Sequence, residues 1–183
     1  MFQNSITNHN NYWSIVSPIE LCIVESLLII SRISSLFRTL NIDSAQEIKL
    51  ETDNFKKSKL NNRIGLKLKA RGSYGQARGF FRQALKLNPS NGRPYLSIAT
   101  MYAKSANNCG QSNFDKRAVY WLAAKEAAKA GRIDPTMKKS AAKSIANYKA
   151  KAPTKSEIFS SGRAGQVIKI ECWIQRSVTV PSL

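Results

Sequence analysis

Ser58 to Asn91 reads SKLNNRIGLKLKARGSYGQARGFFRQALKLNPSN, and the placement of its small, aromatic and proline residues decides the fold. Gly65 and Ala77 are small enough to let two antiparallel helices approach closely. Gly72 falls at the turn between them, where a residue free to take positive φ is favoured, and Tyr74 follows two residues later. Phe81 and Ala84 lie three apart and so share the inner face of the second helix. Pro89 cannot continue that helix and stops it. The stretch therefore reads as one helix–turn–helix unit.

A second unit starts at Gly92, with Tyr95, Ile98, Ala99 and Tyr102 along its first helix. Its second helix ends in AKAGRIDP, where Ala130 and Pro135 repeat the relation of Ala84 to Pro89. The register resembles the 34-residue tetratricopeptide repeat (TPR), in which Gly65, Gly72, Tyr74, Ala77, Phe81, Ala84 and Pro89 would occupy signature positions. Asn61 departs from the usual aromatic and Leu68 replaces a common tyrosine. Pro89 and Pro135 are 46 residues apart, so 12 residues must loop out. The Asn-, Ser- and Gly-rich stretch at 104–115 suits that loop. RAVYWLAAKEAAKAGR then places Ala118, Trp121, Ala124 and Ala128 on one stripe. A further helix from about Thr136 to Lys149, with Ala142, Ile145 and Tyr148 on one side, would cap the stack.

After Ala152-Pro153, Thr154 and Glu157 have capping-box spacing, which predicts a short helix near 155–160. The run QVIKIECWIQRSVTVP then sets Val167, Ile168, Ile170, Cys172 and Ile174 against Lys169, Glu171 and Arg176. That β-branched alternation predicts a strand, with Ser177–Val180 returning as its hairpin partner. The expected fold is mainly α: TPR-type antiparallel helix pairs, about two repeats plus a capping helix, with a short C-terminal β-hairpin. Residues 58–150 form the repeat domain and 151–183 the tail. Two repeats are near the lower limit for a stable stack. Either the apolar stretch before them covers the first unit or the array was once longer.

Residues 1–57 do not share the resemblance. An apolar stretch, with Ile19, Cys22, Ile23, Ile30, Ile33, Phe37 and Leu40 at helical spacing, predicts an amphipathic helix packed on the rest; a membrane-surface or signal-anchor segment is the other reading. Glu20 and Glu25 interrupt it, so it is too broken to span a bilayer. The first cation, Arg32, comes behind the apolar core, which makes a poor secretory signal. Residues 41–57 read as a polar linker with one turn of helix.

From NGRPYLSIATMYAKSANNCG to ECWIQRSVTVP the chain is similar to the C-terminal region of certain uncharacterised bacterial TPR proteins, which often carry export signals. That likeness implies a role in protein–protein association and a place in the bacterial cell envelope, with the cytoplasm as the alternative. It also suggests that Cys109 and Cys172 pair, tying the inserted loop to the terminal strand if the compartment is oxidising. In a reducing cytosol the same residues would be buried free thiols. Stacked repeats present a concave face made by the first helix of each unit. Here that face would take Lys59, Asn62, Arg63, Leu66 and Lys69, then Arg93, Leu96, Ser97 and Thr100, and finally Lys139 and Lys143. Lys139 and Lys143 look like part of the carboxylate clamp of TPR chaperone adaptors, but Leu66 and Ser97 stand where its asparagines belong. The clamp is incomplete.

The chain of 183 residues carries 29 Lys+Arg against 11 Asp+Glu, a formal charge of +18. Residues 1–60 are formally neutral, with six of each kind, so the whole excess lies after them. The cations read either as a solvated face or as a surface for an anionic partner: an acidic protein segment or peptide first, nucleic acid or lipid headgroups second. One histidine, His9, excludes His-based triads and multi-histidine metal sites. Cys22, Cys109 and Cys172 are too scattered for a zinc module. With no phosphate-cradling glycine loop and no paired catalytic carboxylates, the sequence predicts a non-enzymatic binding protein, without cofactor, metal or small-molecule substrate.

Overall fold

Asp53 starts the first long helix: its carboxylate accepts from the backbone N–H groups of Phe55 and Lys56, satisfying two of the donors a helix leaves open at its start. The computed structural model describes residues 46–183, all within the compact unit Ser44–Leu183. Its main elements are α1 (Asn54–Ala70), α2 (Tyr74–Leu87), α3 (Arg93–Lys104), α4 (Asn113–Ile133), α5 (Lys138–Lys151), α6 (Lys155–Ser161), β1 (Val167–Ile170) and β2 (Arg176–Thr179). A helical segment at 46–50 precedes them, and single 3-10 turns occupy Ala106–Asn108 and Pro135–Met137. The amphipathic helix expected over the first forty residues lies outside the described residues.

The fold is mainly α with a C-terminal antiparallel β-hairpin, as the pattern of the sequence predicts. α1 and α2 form an antiparallel pair. Ser58 Oγ donates to the Ala84 carbonyl at 2.8 Å near one end, and Gly65 lies against Phe81 in the middle. A Cβ at Gly65 would stand 2.7 Å from the Phe81 ring, so the small residue is required by close approach. At the turn Gly72 takes φ +78, the left-handed conformation expected there. α1 begins four residues ahead of Ser58 because Asp53 caps it, and its buried residues are Ser58, Asn61 and Gly65. Asn61, where an aromatic would be usual, donates from Nδ2 to the Lys57 carbonyl and stays buried.

α3 and α4 form a second antiparallel pair. Gly92 N donates to Asp134 at one end, while Gly110 abuts Lys116 at the other. The expected loop is shorter than 104–115, because Ser112 and Asp115 close a capping box and start α4 at Asn113. α4 then packs against α5 as well, with Tyr120 and Tyr148 stacked at 6.5 Å and Arg117 donating to the Lys151 and Ala152 carbonyls. A helix held between two others buries more than one stripe. Ala118 and Ala124 are buried as expected, but so are Val119, Leu122, Ala123, Ala127 and Ala130, whereas Ala128 is exposed and Trp121 half-buried. On α5 the buried residues are Ala141 and Tyr148; Ala142 faces solvent.

Thr154 and Glu157 close the expected capping box at the start of α6. The hairpin pairs Val167 with Thr179 and Ile170 with Arg176. Ile168, Ile170, Ile174, Val178 and Val180 join the same core cluster as Phe81, Tyr102 and Val119. A two-stranded ribbon is marginal alone, and this one is held by what it packs on. Trp173 sits between Tyr74 and Tyr102, with ring centroids 5.6 and 5.5 Å away, and its Nε1 donates to Ser105 Oγ at 2.9 Å. Arg78 donates to the Ile174 carbonyl and lies over the Trp173 ring. Arg163 pairs with Asp115, and Arg117 with Glu157. Cys109 and Cys172 are joined in a disulfide, with Cα atoms 5.3 Å apart across a separation of 63 residues.

Candidate partner-binding face

The residues expected to meet a partner come from α1, α3 and α5, the first helices of successive pairs. On α1, Lys59 is exposed with its Nζ 4.3 Å from the Phe55 ring, and Arg63 is exposed and paired with Glu47 at 2.7 Å. Asn62 is half-buried, and its Oδ1 is buried without a hydrogen-bond partner. Arg93 begins α3 and is exposed; Lys139 and Lys143 are exposed on α5. Ser97 is buried within α3, and Thr100 donates its hydroxyl to the Leu96 carbonyl at 2.8 Å. Thr100 thus commits its hydroxyl proton to its own helix, while Ser97 is largely covered by the fold.

The structure brings Leu66 and Lys69 into a cationic cluster. Where α1 and α3 end, a cleft of about 520 Å³ is lined by Leu66, Lys69, Ala70, Arg71, Gly72, Tyr74 and Lys104. Three of those residues are cationic and none is acidic. Burial, and then the neighbouring Lys104 charge, hold the Lys69 ammonium below its ordinary pKa. The Lys104 charge thus makes Lys69 harder to keep charged, and an anion placed beside Lys69 would relieve it. Leu66, 45% exposed, supplies an apolar edge to the same cleft.

Sequence reasoning named Leu66 and Lys69 but missed Lys104, Arg71 and Tyr74. Lys69 and Lys104 are 35 residues apart, close to the 34-residue spacing that the resemblance implies, and each lies in the last turn of its helix, α1 and α3. Lys139 and Lys143 do not line this cleft. Among the described residues no cluster of three or more His, Cys, Asp or Glu side chains could hold a metal ion, and no helix is long and apolar enough to cross a membrane. Compared with known proteins, the chain matches no family model, no curated protein and no solved structure.

Proposed function

We propose that the chain is a non-enzymatic, TPR-like scaffold that holds an acidic peptide or protein segment across α1, α3 and α5. The observation that carries this reading is the acid-free cleft of Leu66, Lys69, Arg71, Tyr74 and Lys104. A carboxylate lying between Lys69 and Lys104 would be held by charge-assisted hydrogen bonds, while an adjoining apolar side chain lies on Leu66 and Tyr74. Arg93, Lys139 and Lys143 extend the positive field along the neighbouring helices and steer an acidic segment toward it. The Cys109–Cys172 bond supports an oxidising compartment, in keeping with the cell-envelope location implied by the resemblance.

Titration with acidic and basic peptides of equal length tests this reading. The acidic peptide binds at least about tenfold tighter, and Lys69→Gln with Lys104→Gln removes most of that advantage, a loss on the order of 1.4 kcal/mol. Equal affinity for the two peptides would end the proposal. The concentration of the excess charge after residue 60 favours a second reading, binding to a nucleic acid or lipid surface. That binding would fall steeply with salt as counterions are released, and flat binding between low and moderate salt would remove it.

A further inference from the structure

A second cationic cavity shares no residue with the peptide-binding cleft. It is bounded by Arg82 and Leu85 of α2, Tyr95, Ile98 and Tyr102 of α3, Glu126 and Lys129 of α4, and Arg176 of β2, and has a volume of about 210 Å³. We propose that this cavity binds a phosphoryl group carried on a small apolar or aromatic body, with Arg82 and Arg176 gripping the oxyanion.

Glu126 is the one acid in the lining, and it already pairs with Lys129 at 2.8 Å. Neither the Arg82 nor the Arg176 guanidinium has a hydrogen-bond or ion-pair partner among the described residues. Arg78, one turn away from Arg82, is engaged elsewhere: it donates to the Ile174 carbonyl and covers the Trp173 ring. Burial, then the charges of Arg78 and Arg176, lower the Arg82 pKa from its ordinary value, outweighing the smaller opposing effects of Tyr102 and Glu126. Folding has brought together three arginines from α2 and the tail at an electrostatic cost, leaving two planar donor forks at one cavity. Guanidinium forks match the paired oxygens of a phosphate better than an ammonium does.

The remainder of the cavity fixes the class of ligand. Leu85 and Ile98 offer apolar contact and Tyr95 an aromatic wall. A volume of about 210 Å³ is below the usual range for whole drug-sized ligands. It suits a phosphoryl group with one ring or a short chain attached. Arg176 reaches the cavity only because the hairpin docks, so the site is assembled by the tail.

The test uses the full chain with phenyl phosphate, inorganic phosphate and benzoate as probes, followed by calorimetry and thermal melting. Phenyl phosphate binds one to one and more tightly than inorganic phosphate or benzoate. Arg82→Gln and Arg176→Gln each weaken it at least tenfold, and Arg82→Lys, which keeps the charge but loses the fork, weakens it by less. Lys139→Gln with Lys143→Gln removes two charges elsewhere and changes the affinity less than twofold. In the absence of ligand Arg82→Gln melts at or above the wild-type temperature, because a repulsion has gone; a purely structural arginine would lower it. Unsaturable binding, or equal weakening by the Arg82→Gln and Lys139/Lys143 variants, overturns the site as a diffuse field effect. Inorganic phosphate binding as tightly as phenyl phosphate overturns the part given to Leu85 and Tyr95.

Discussion

Gly65 is where one missing Cβ decides how two helices meet. The Phe81 ring is fully buried and occupies the space that a side chain at residue 65 would need. Gly65→Ala gains roughly 0.5–1 kcal/mol of helix preference but forces an interior ring to move, which costs about 1–3 kcal/mol. The expected outcome is a net loss of about 1–2 kcal/mol, read as a fall of the melting temperature by roughly 3–6 °C. Gly79→Ala in α2 is the control, since a Cβ there meets nothing within 4 Å; it melts at or slightly above the wild-type temperature. If both variants melt alike, the close approach at Gly65 does not limit the packing. Asn61 makes a related point at the same interface. A buried amide that bonds back to its own helix leaves Phe81 and the small residues to supply most of the contact.

Helix ends were the most legible elements in the sequence because their signals are local. Thr154 with Glu157, and the Gly72 turn, are read from residues a few positions apart, and both take the expected form. The Ser112–Asp115 capping box has the same kind of signal, set within an Asn-, Ser- and Gly-rich stretch whose composition favours a loop. What the sequence could not show is which faces of α4 would be covered, or that Trp173 would lie between Tyr74 and Tyr102. Those facts depend on partners 70 or more residues away in the chain or on neighbouring helices, and no spacing within one element encodes them. The candidate cleft was half legible for the same reason: Lys69 was marked by its own helix, Lys104 only by the next. At the start of α4, burial pushes the Asp115 carboxyl up, but the Ser112 hydroxyl and N–H and the Arg163 guanidinium outweigh it, leaving a pKa below the ordinary value. A depressed folded pKa stabilises the fold above the unfolded value, near 3.9, and that contribution is lost as pH falls through the lower folded value. Ser112→Ala therefore costs about 1 kcal/mol near neutrality. The difference in melting temperature between wild type and Asp115→Asn is full above about pH 5 and narrows as pH falls below about 4 toward the lower folded value. A difference that persists unchanged at pH 3 would show that the carboxylate is not the stabilising species.

At the scale of the whole molecule, the tail is part of the core. Ile168, Ile170, Ile174, Val178 and Val180 belong to one continuous apolar cluster with α2, α3 and α4, and the Arg78, Arg163 and Trp173 contacts cross the same boundary. The disulfide closes a span of 63 residues that contains all of α4, α5 and α6. Loop closure of that length limits the unfolded chain and stabilises the fold by about 2–4 kcal/mol. Cys109→Ser with Cys172→Ser should thus lower the melting temperature by roughly 5–15 °C. Because the hairpin and helices share a core, helix ellipticity and tryptophan fluorescence should still report one coincident transition. Separate transitions, with fluorescence changing well before the helices melt, would mean that the tail is tethered by the bond rather than built into the fold. The same variant then discriminates at the phosphoryl site: a tail that stays docked keeps Arg176 beside Arg82 and retains phenyl phosphate, whereas a released tail loses both.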